Sequence, residues 1–183
     1  ISPMRKDAPG PGQGFSSVEL LAVLAVSAIL LGLALPGFQD TLRRQRVASA
    51  MHLLGTQLAQ ARNTAITRRV PVTVCPSSGG GLCRADPDWS AGWLLYQDPG
   101  RGEQPRSPAD VLREVRLPAH ASIRIVSSSG RVRVRYQPDG RSGGSNLTFR
   151  ICTGDALDGE IIVNISGRTR TRRVMPGATC ERP

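Results

Sequence analysis

Lysine is almost absent from this chain. One residue, Lys6, stands against 23 arginines, so the net charge of +10 rests on guanidinium groups. A guanidinium fork suits phosphate better than an ammonium does. Arginine richness also follows from genomic base composition, so only the placement of the arginines informs. Histidine is scarce too: His52 falls on an amphipathic stretch and His120 in a Pro118-Ala119-His120 turn, neither beside a nucleophile. Asp86 and Asp88 make no paired-carboxylate arrangement that a cleft would use. There is no CxxC spacing for a metal, no glycine-rich phosphate loop for a nucleotide and no internal repeat. These absences argue against an enzyme and against any cofactor or metal site.

One long apolar run is present. From Phe15 to Leu35 every residue is apolar or small except Glu19. A helix of that length spans a bilayer's hydrocarbon core of about 30 Å. An acid inside it costs about 2.5–3.5 kcal/mol at the centre and less near an end, so Glu19 calls for a partner. A cleaved secretory signal, with Arg5 and Lys6 ahead of it and a small-residue site near Ala34, is the simplest alternative. The length of the run, Glu19 within it, and the spacer from Ala8 to Gly14 argue against that reading.

Gly14-Phe15-Ser16-Ser17-Val18-Glu19, followed by the apolar run and Pro36, resembles the class III signal of type IV prepilins and type II secretion pseudopilins. Ser16-Ser17-Val18 departs from the family's usual Thr-Leu-Ile. The resemblance implies cleavage after Gly14 by a prepilin peptidase and N-methylation of Phe15. It also implies that Glu19 neutralises the terminal amine of a neighbouring subunit, which makes a buried carboxylate tolerable. Residues 1–14 are then a leader, with Met4 a plausible start. Residues 15–38 are a membrane and filament-core helix, 39–69 its amphipathic half, and 70–183 a β-rich globular domain. The expected fold is α+β, the type IV pilin fold: one long N-terminal helix, membrane-spanning in its first half, packed on an antiparallel β domain.

The residues beyond Pro36 support that layout. Val47, Met51, Leu54, Leu58, Ala61 and Ala65 recur at steps of three and four, one face of a helix, with Arg43, Arg44, Arg46, Gln57, Gln60 and Arg62 elsewhere. The stripe is too rich in alanine for a long zipper, so a sheet is expected across it. A helix from Phe15 to Thr67 would be about 80 Å long, with Pro36 kinking or loosening it. Strands are expected over Val70–Cys75, with Pro71 suggesting an edge or strand start, and over Gly92–Tyr96, Val111–Leu117 and Ile123–Val126. Val132, Val134 and Tyr136 alternate with Arg131, Arg133 and Arg135, which predicts a strand with three arginines outward as a second basic face. Asn146–Cys152 and Glu160–Ile165 complete the sheet region. Trp89 and Trp93 read as core. The Cys-Pro-Ser, Cys, Trp-x-x-x-Trp and Asp pattern over 75–98 resembles the globular domain of FimT, FimU and GspH-type minor pilins.

Four cysteines, Cys75, Cys83, Cys152 and Cys180, allow three pairings. An even number in an exported domain favours two disulfides. Cys75–Cys83 would close a short loop, and Cys152–Cys180 would tie the C-terminal segment to an internal strand.

That C-terminal segment is the most basic part of the chain. Ser166-Gly167-Arg168-Thr169-Arg170-Thr171-Arg172-Arg173-Val174, if extended, places Arg168, Arg170 and Arg172 on one face and Thr169, Thr171 and Arg173 on the other. Such a stripe can follow a nucleic-acid backbone by displacing counterions, reading little sequence. No aromatic platform for stacked single strands lies beside it. On residues alone, a solvated edge strand whose charge blocks unwanted pairing is an equal reading. Gly167-Arg168-Thr169-Arg170 is similar to the Gly-Arg-x-Arg motif of FimT-type minor pilins. That resemblance implies binding of double-stranded DNA for uptake in natural transformation, with Arg168 and Arg170 as binding residues and Arg172 and Arg173 extending them by charge. The alternative is a structural subunit, FimU-like or a GspH-like pseudopilin, that primes filament assembly without DNA. Other pilins, a prepilin peptidase and the inner membrane are the further partners implied. The globular domain would be periplasmic before assembly and on the cell-surface pilus afterwards.

Overall fold

The computed structural model describes residues 16–117, 123–174 and 177–180. Two compact units divide between Arg43 and Arg44, inside helix α1 (Ser17–Arg68). The first unit holds the start of α1. Val18 N–H reaches Ser16 Oγ at 3.4 Å, and Glu19 lies in the first turn, where a carboxylate complements the positive end of the helix dipole. The large apolar side chains from Val18 to Phe38 are exposed. Among the described residues no single helix is long and apolar enough to cross a membrane. Ser17–Leu33 and Gly37–Arg68, separated by a break around Pro36, qualify as a pair by length and composition. Proline supplies no backbone N–H to a helix ladder, which accounts for the break.

In the second unit the predicted stripe is the helix's core face: Val47, Met51, Leu54, Leu58, Ala61 and Ala65 are all buried. Gln57, placed by the sequence among the outward polar positions, is buried instead, and its Oε1 has no hydrogen-bond partner among the described residues. α1 ends where Arg69 adopts φ 53°, a left-handed conformation rare outside glycine, before Val70-Pro71 turn the chain into a strand.

Two antiparallel four-stranded sheets cover the stripe, where the sequence suggested one. The first has the order β3 (Val111–Arg116), β2 (Gly92–Gln97), β1 (Val72–Pro76), β5 (Val134–Tyr136). Pro71 immediately precedes β1, so this central strand contains no proline until its last residue. The second sheet has the order β4 (Arg124–Ser127), β6 (Leu147–Thr153), β7 (Ala156–Val163), β8 (Thr169–Arg173). Val72, Val74, Leu95, Val134 and Tyr136 from one sheet meet Ile125, Leu147, Phe149, Ile151, Ile161 and Val163 from the other in one core with the helix. Trp89 and Trp93 are fully buried there, and Trp89 meets Phe149 edge-on at 4.7 Å between ring centroids. Alternation sends Cys75, Leu94 and Tyr96 to the other face of the first sheet, where Cys83 joins them through a disulfide to Cys75.

The second disulfide joins Cys152 on β6 to Cys180. Past β8 the chain meets β7 again: Leu157 N–H donates to Ala178 O, and Cys180 N–H donates to Asp155 O. The C-terminal segment is thus an edge strand held at both ends of β7.

Candidate nucleic-acid interface

The basic segment is the second arm of the β7–β8 hairpin. Its turn is built by Asn164, whose Oδ1 accepts from Ser166 Oγ at 2.8 Å and from Arg168 N–H at 2.9 Å. Gly167 N–H returns to Asn164 O at 2.9 Å, with Gly167 at φ +77°. A side chain at Gly167 would overlap the carbonyl oxygen of Gly140, so glycine is needed here for space as well as conformation. Ser142 N–H donates to Ile165 O at 3.0 Å, which joins the 138–142 turn to this one. Arg62 on α1 donates Nε–H to Gly140 O at 2.9 Å. Helix, 138–142 turn and 164–168 turn therefore meet at one corner.

From that turn Arg168 projects exposed just ahead of β8. Within β8, Arg170 lies opposite Ile162 and Arg172 opposite Glu160, whereas Thr169, Thr171 and Arg173 lie opposite Val163, Ile161 and Gly159. Ile161 and Val163 are core residues, so Arg170 and Arg172 occupy the sheet's outer face and Arg173 the inner side of its edge. Arg170 and Arg173 are exposed, and no carboxylate among the described residues pairs with Arg168, Arg170 or Arg173.

Arg172 differs from the free cation that charge counting suggested. Its Nη2 and Nε grip Glu160 Oε2 at 2.5 and 3.0 Å. The Glu160 side chain is only 9% exposed. Glu160 also lies opposite Arg150 on β6, so an acid sits between two arginines across the outer face.

The expected second basic face is absent. Only Val134–Tyr136 is strand, and each of the three arginines is engaged by a partner elsewhere in the chain. Arg135 Nε reaches Asp98 Oδ2 at 2.8 Å and Thr73 Oγ1 at 3.2 Å, and its Nη2 reaches Gly102 O at 2.7 Å. Arg131 donates to Ser142 Oγ at 2.7 Å and to the carbonyls of Arg133 and Ser145, and burial pulls its guanidinium pKa down. Arg133 pairs with Glu103 at 3.7 Å. The alternation was read correctly for Val134 and Tyr136. What it could not supply was the buried Asp98 and the carbonyl groups that receive the guanidinium groups.

Other residues singled out by the sequence fall elsewhere. Asp86 and Asp88 flank Arg84 at 2.7 and 3.8 Å, and the Arg84 hydrogen bond holds the Asp86 carboxyl below its usual range. His52 is exposed on α1. Among the described residues no group of three or more His, Cys, Asp or Glu could hold a metal ion. Gly14, Phe15 and His120 lie outside the described residues.

A long N-terminal helix with its C-terminal half laid on antiparallel sheets is the pilin architecture. Two crystal structures of the type IV minor pilin FimU from Pseudomonas aeruginosa share it, at TM-scores of 0.53 and 0.56 and 20% identity. They cover 68% and 75% of this chain, and 91% and 95% of their own. The family described as type II transport protein GspH matches residues 50–174, and the chain belongs to that family. The fimbrial protein EcpC of Eikenella corrodens is 40% identical over 45 residues, spanning 25% of this chain and 29% of that protein's length.

Proposed function

We propose that this chain is a minor pilin that captures extracellular double-stranded DNA through its C-terminal hairpin, for uptake in natural transformation. The observation that carries the reading is the exposure of Arg168 and Arg170, at the turn and on the outer face of an edge strand, without a carboxylate partner among the described residues. A duplex presents one phosphate charge per about 1.7 Å of axis, so closely spaced unpaired guanidiniums displace its counterions on binding. Arg173 adds charge from the inner side of the strand, and Arg172 adds less because Glu160 holds it. The contact positions the duplex without selecting sequence.

Assembly belongs to the other end. Cleavage after Gly14 by a prepilin peptidase leaves Phe15 as an N-methylated terminus, and Glu19 offsets the amine of a neighbouring subunit. The exposed apolar side chains from Val18 to Phe38 are covered first by the inner membrane and then by other pilins in the filament. The chain acts as a structural and binding subunit, not an enzyme.

The full chain in detergent micelles should retard a short duplex at low salt, with affinity falling steeply as salt rises. Arg168→Ala with Arg170→Ala should weaken that binding at least tenfold. A second reading, filament priming without DNA, is favoured by the likeness to FimU in fold and by membership of the GspH family. Absence of duplex binding by the unaltered chain at low salt decides for it.

A further inference from the structure

Arg62 is tied to the corner by one donor only. Its Nε–H serves Gly140 O at 2.9 Å, and a guanidinium has five N–H donors, so its two Nη groups remain available. Arg62 stands between the two turns: a Cβ built on Gly167 would lie 3.1 Å from Arg62 Nε, and one on Gly140 would lie 3.2 Å from it. Arg168 is the residue after Gly167, and Arg141 the residue after Gly140. Arg141 is exposed, and its backbone N–H is held by Asp139 Oδ1 at 2.9 Å.

We infer that Arg62 and Arg141 join Arg168 and Arg170 in one phosphate-binding corner, assembled from α1 and two turns far apart in the sequence. The inference rests on the DNA-binding reading and extends the contact beyond the hairpin. Asp139, in the same turn as Arg141, accepts from the Arg141 backbone N–H. Arg62 is half-buried and fixed by a carbonyl, so its guanidinium is ordered before any anion arrives. A preordered donor loses less side-chain freedom on binding than a free surface arginine. The glycines at 140 and 167 allow the turns to touch, which sets Arg62 beside the turn that leads into Arg168.

Duplex affinity of the full chain in micelles, measured by fluorescence anisotropy from about 50 to 200 mM salt, decides the matter. Arg141→Ala and Arg62→Gln should each lower affinity about three- to tenfold at low salt and reduce the salt slope by about one. Arg168→Ala with Arg170→Ala is the reference for the hairpin alone. If that reference loses affinity while Arg141→Ala and Arg62→Gln keep the full affinity and slope, the corner is not the site, although the DNA-binding reading stands. If the unaltered chain binds no duplex, that reading fails and the inference with it. Arg62→Gln is compared by thermal melting. Should it unfold, Arg141→Glu takes its place, and unchanged affinity there overturns the inference. Normal DNA affinity with impaired pilus incorporation of Arg141→Ala would assign the corner to a neighbouring pilin instead.

Discussion

Glu160 on β7 and Arg172 on β8 face one another across the sheet, and their side chains meet through two donors at 2.5 and 3.0 Å. The pair is lopsided: the carboxylate is nearly buried, while the Arg172 side chain is 67% exposed. Truncating the arginine removes the acid's hydrogen-bonded partner and leaves only Arg150 beside it, whereas neutralising the acid releases a cation. Arg172→Ala should cost about 1–2 kcal/mol of stability, toward the exposed end of the range for ion pairs, and reduce DNA affinity less than Arg168→Ala does. Glu160→Gln should raise duplex affinity two- to fivefold, read by anisotropy at low salt.

Arg135 should matter for stability alone. Its partner Asp98 is buried and also accepts from Thr73 Oγ1 at 2.7 Å and Gly102 N–H at 2.6 Å. Arg135→Ala removes the cation and leaves that carboxylate inside the protein, which should cost about 3 kcal/mol in denaturant melts. Duplex affinity of the folded variant should match that of the unaltered chain, whereas an arginine on a DNA-binding face would show a loss.

Gly167→Ala combines a left-handed backbone with an overlap on Gly140 O. The conformational part alone costs about 1–2 kcal/mol, and the overlap must push the two turns apart. The variant should melt at lower temperature and bind DNA more weakly even though no charge is lost. Gly154→Ala is a suitable control: it has a similar φ of +58° but open space around it, so only the stability term applies.

Tyr136 makes stability depend on alkaline pH. Burial raises its phenol from the usual value near 10 to about 12, against the opposing influence of Thr169, Arg62 and Arg131. Because the folded pKa exceeds the unfolded one, the contribution is complete below pH 10. It is lost as pH rises toward 12, by up to about 2 kcal/mol. Tyr136→Phe should flatten this decline in urea melts at pH 9 to 11.5. A residual slope from Tyr96, also raised by burial, should remain.

The helix was legible because its stripe from Val47 to Ala65 repeats a local geometric period, and the strands because alternation is local too. The disposition of Arg131, Arg133 and Arg135 was not. Period two says which side of a strand a residue takes, but not whether a buried acid such as Asp98 waits there, 37 residues away in the chain. Gln57 was misread for the same reason: its helix position looked polar, yet the surrounding fold buries it.

The chain's own order of residues determined the long apolar helix with Glu19 in its first turn, the amphipathic continuation and the arginine-rich C-terminal strand. Each is set by neighbours within a few residues, where covalent spacing fixes geometry. Only the tertiary structure decided which arginines are occupied and which are free. It tied Arg172 to Glu160, turned Arg131, Arg133 and Arg135 to partners elsewhere in the chain, and brought Arg62 and the glycine turns at 140 and 167 to one corner. Charge acts through space, and separations of 78 residues closed to 2.9 Å are a property of packing.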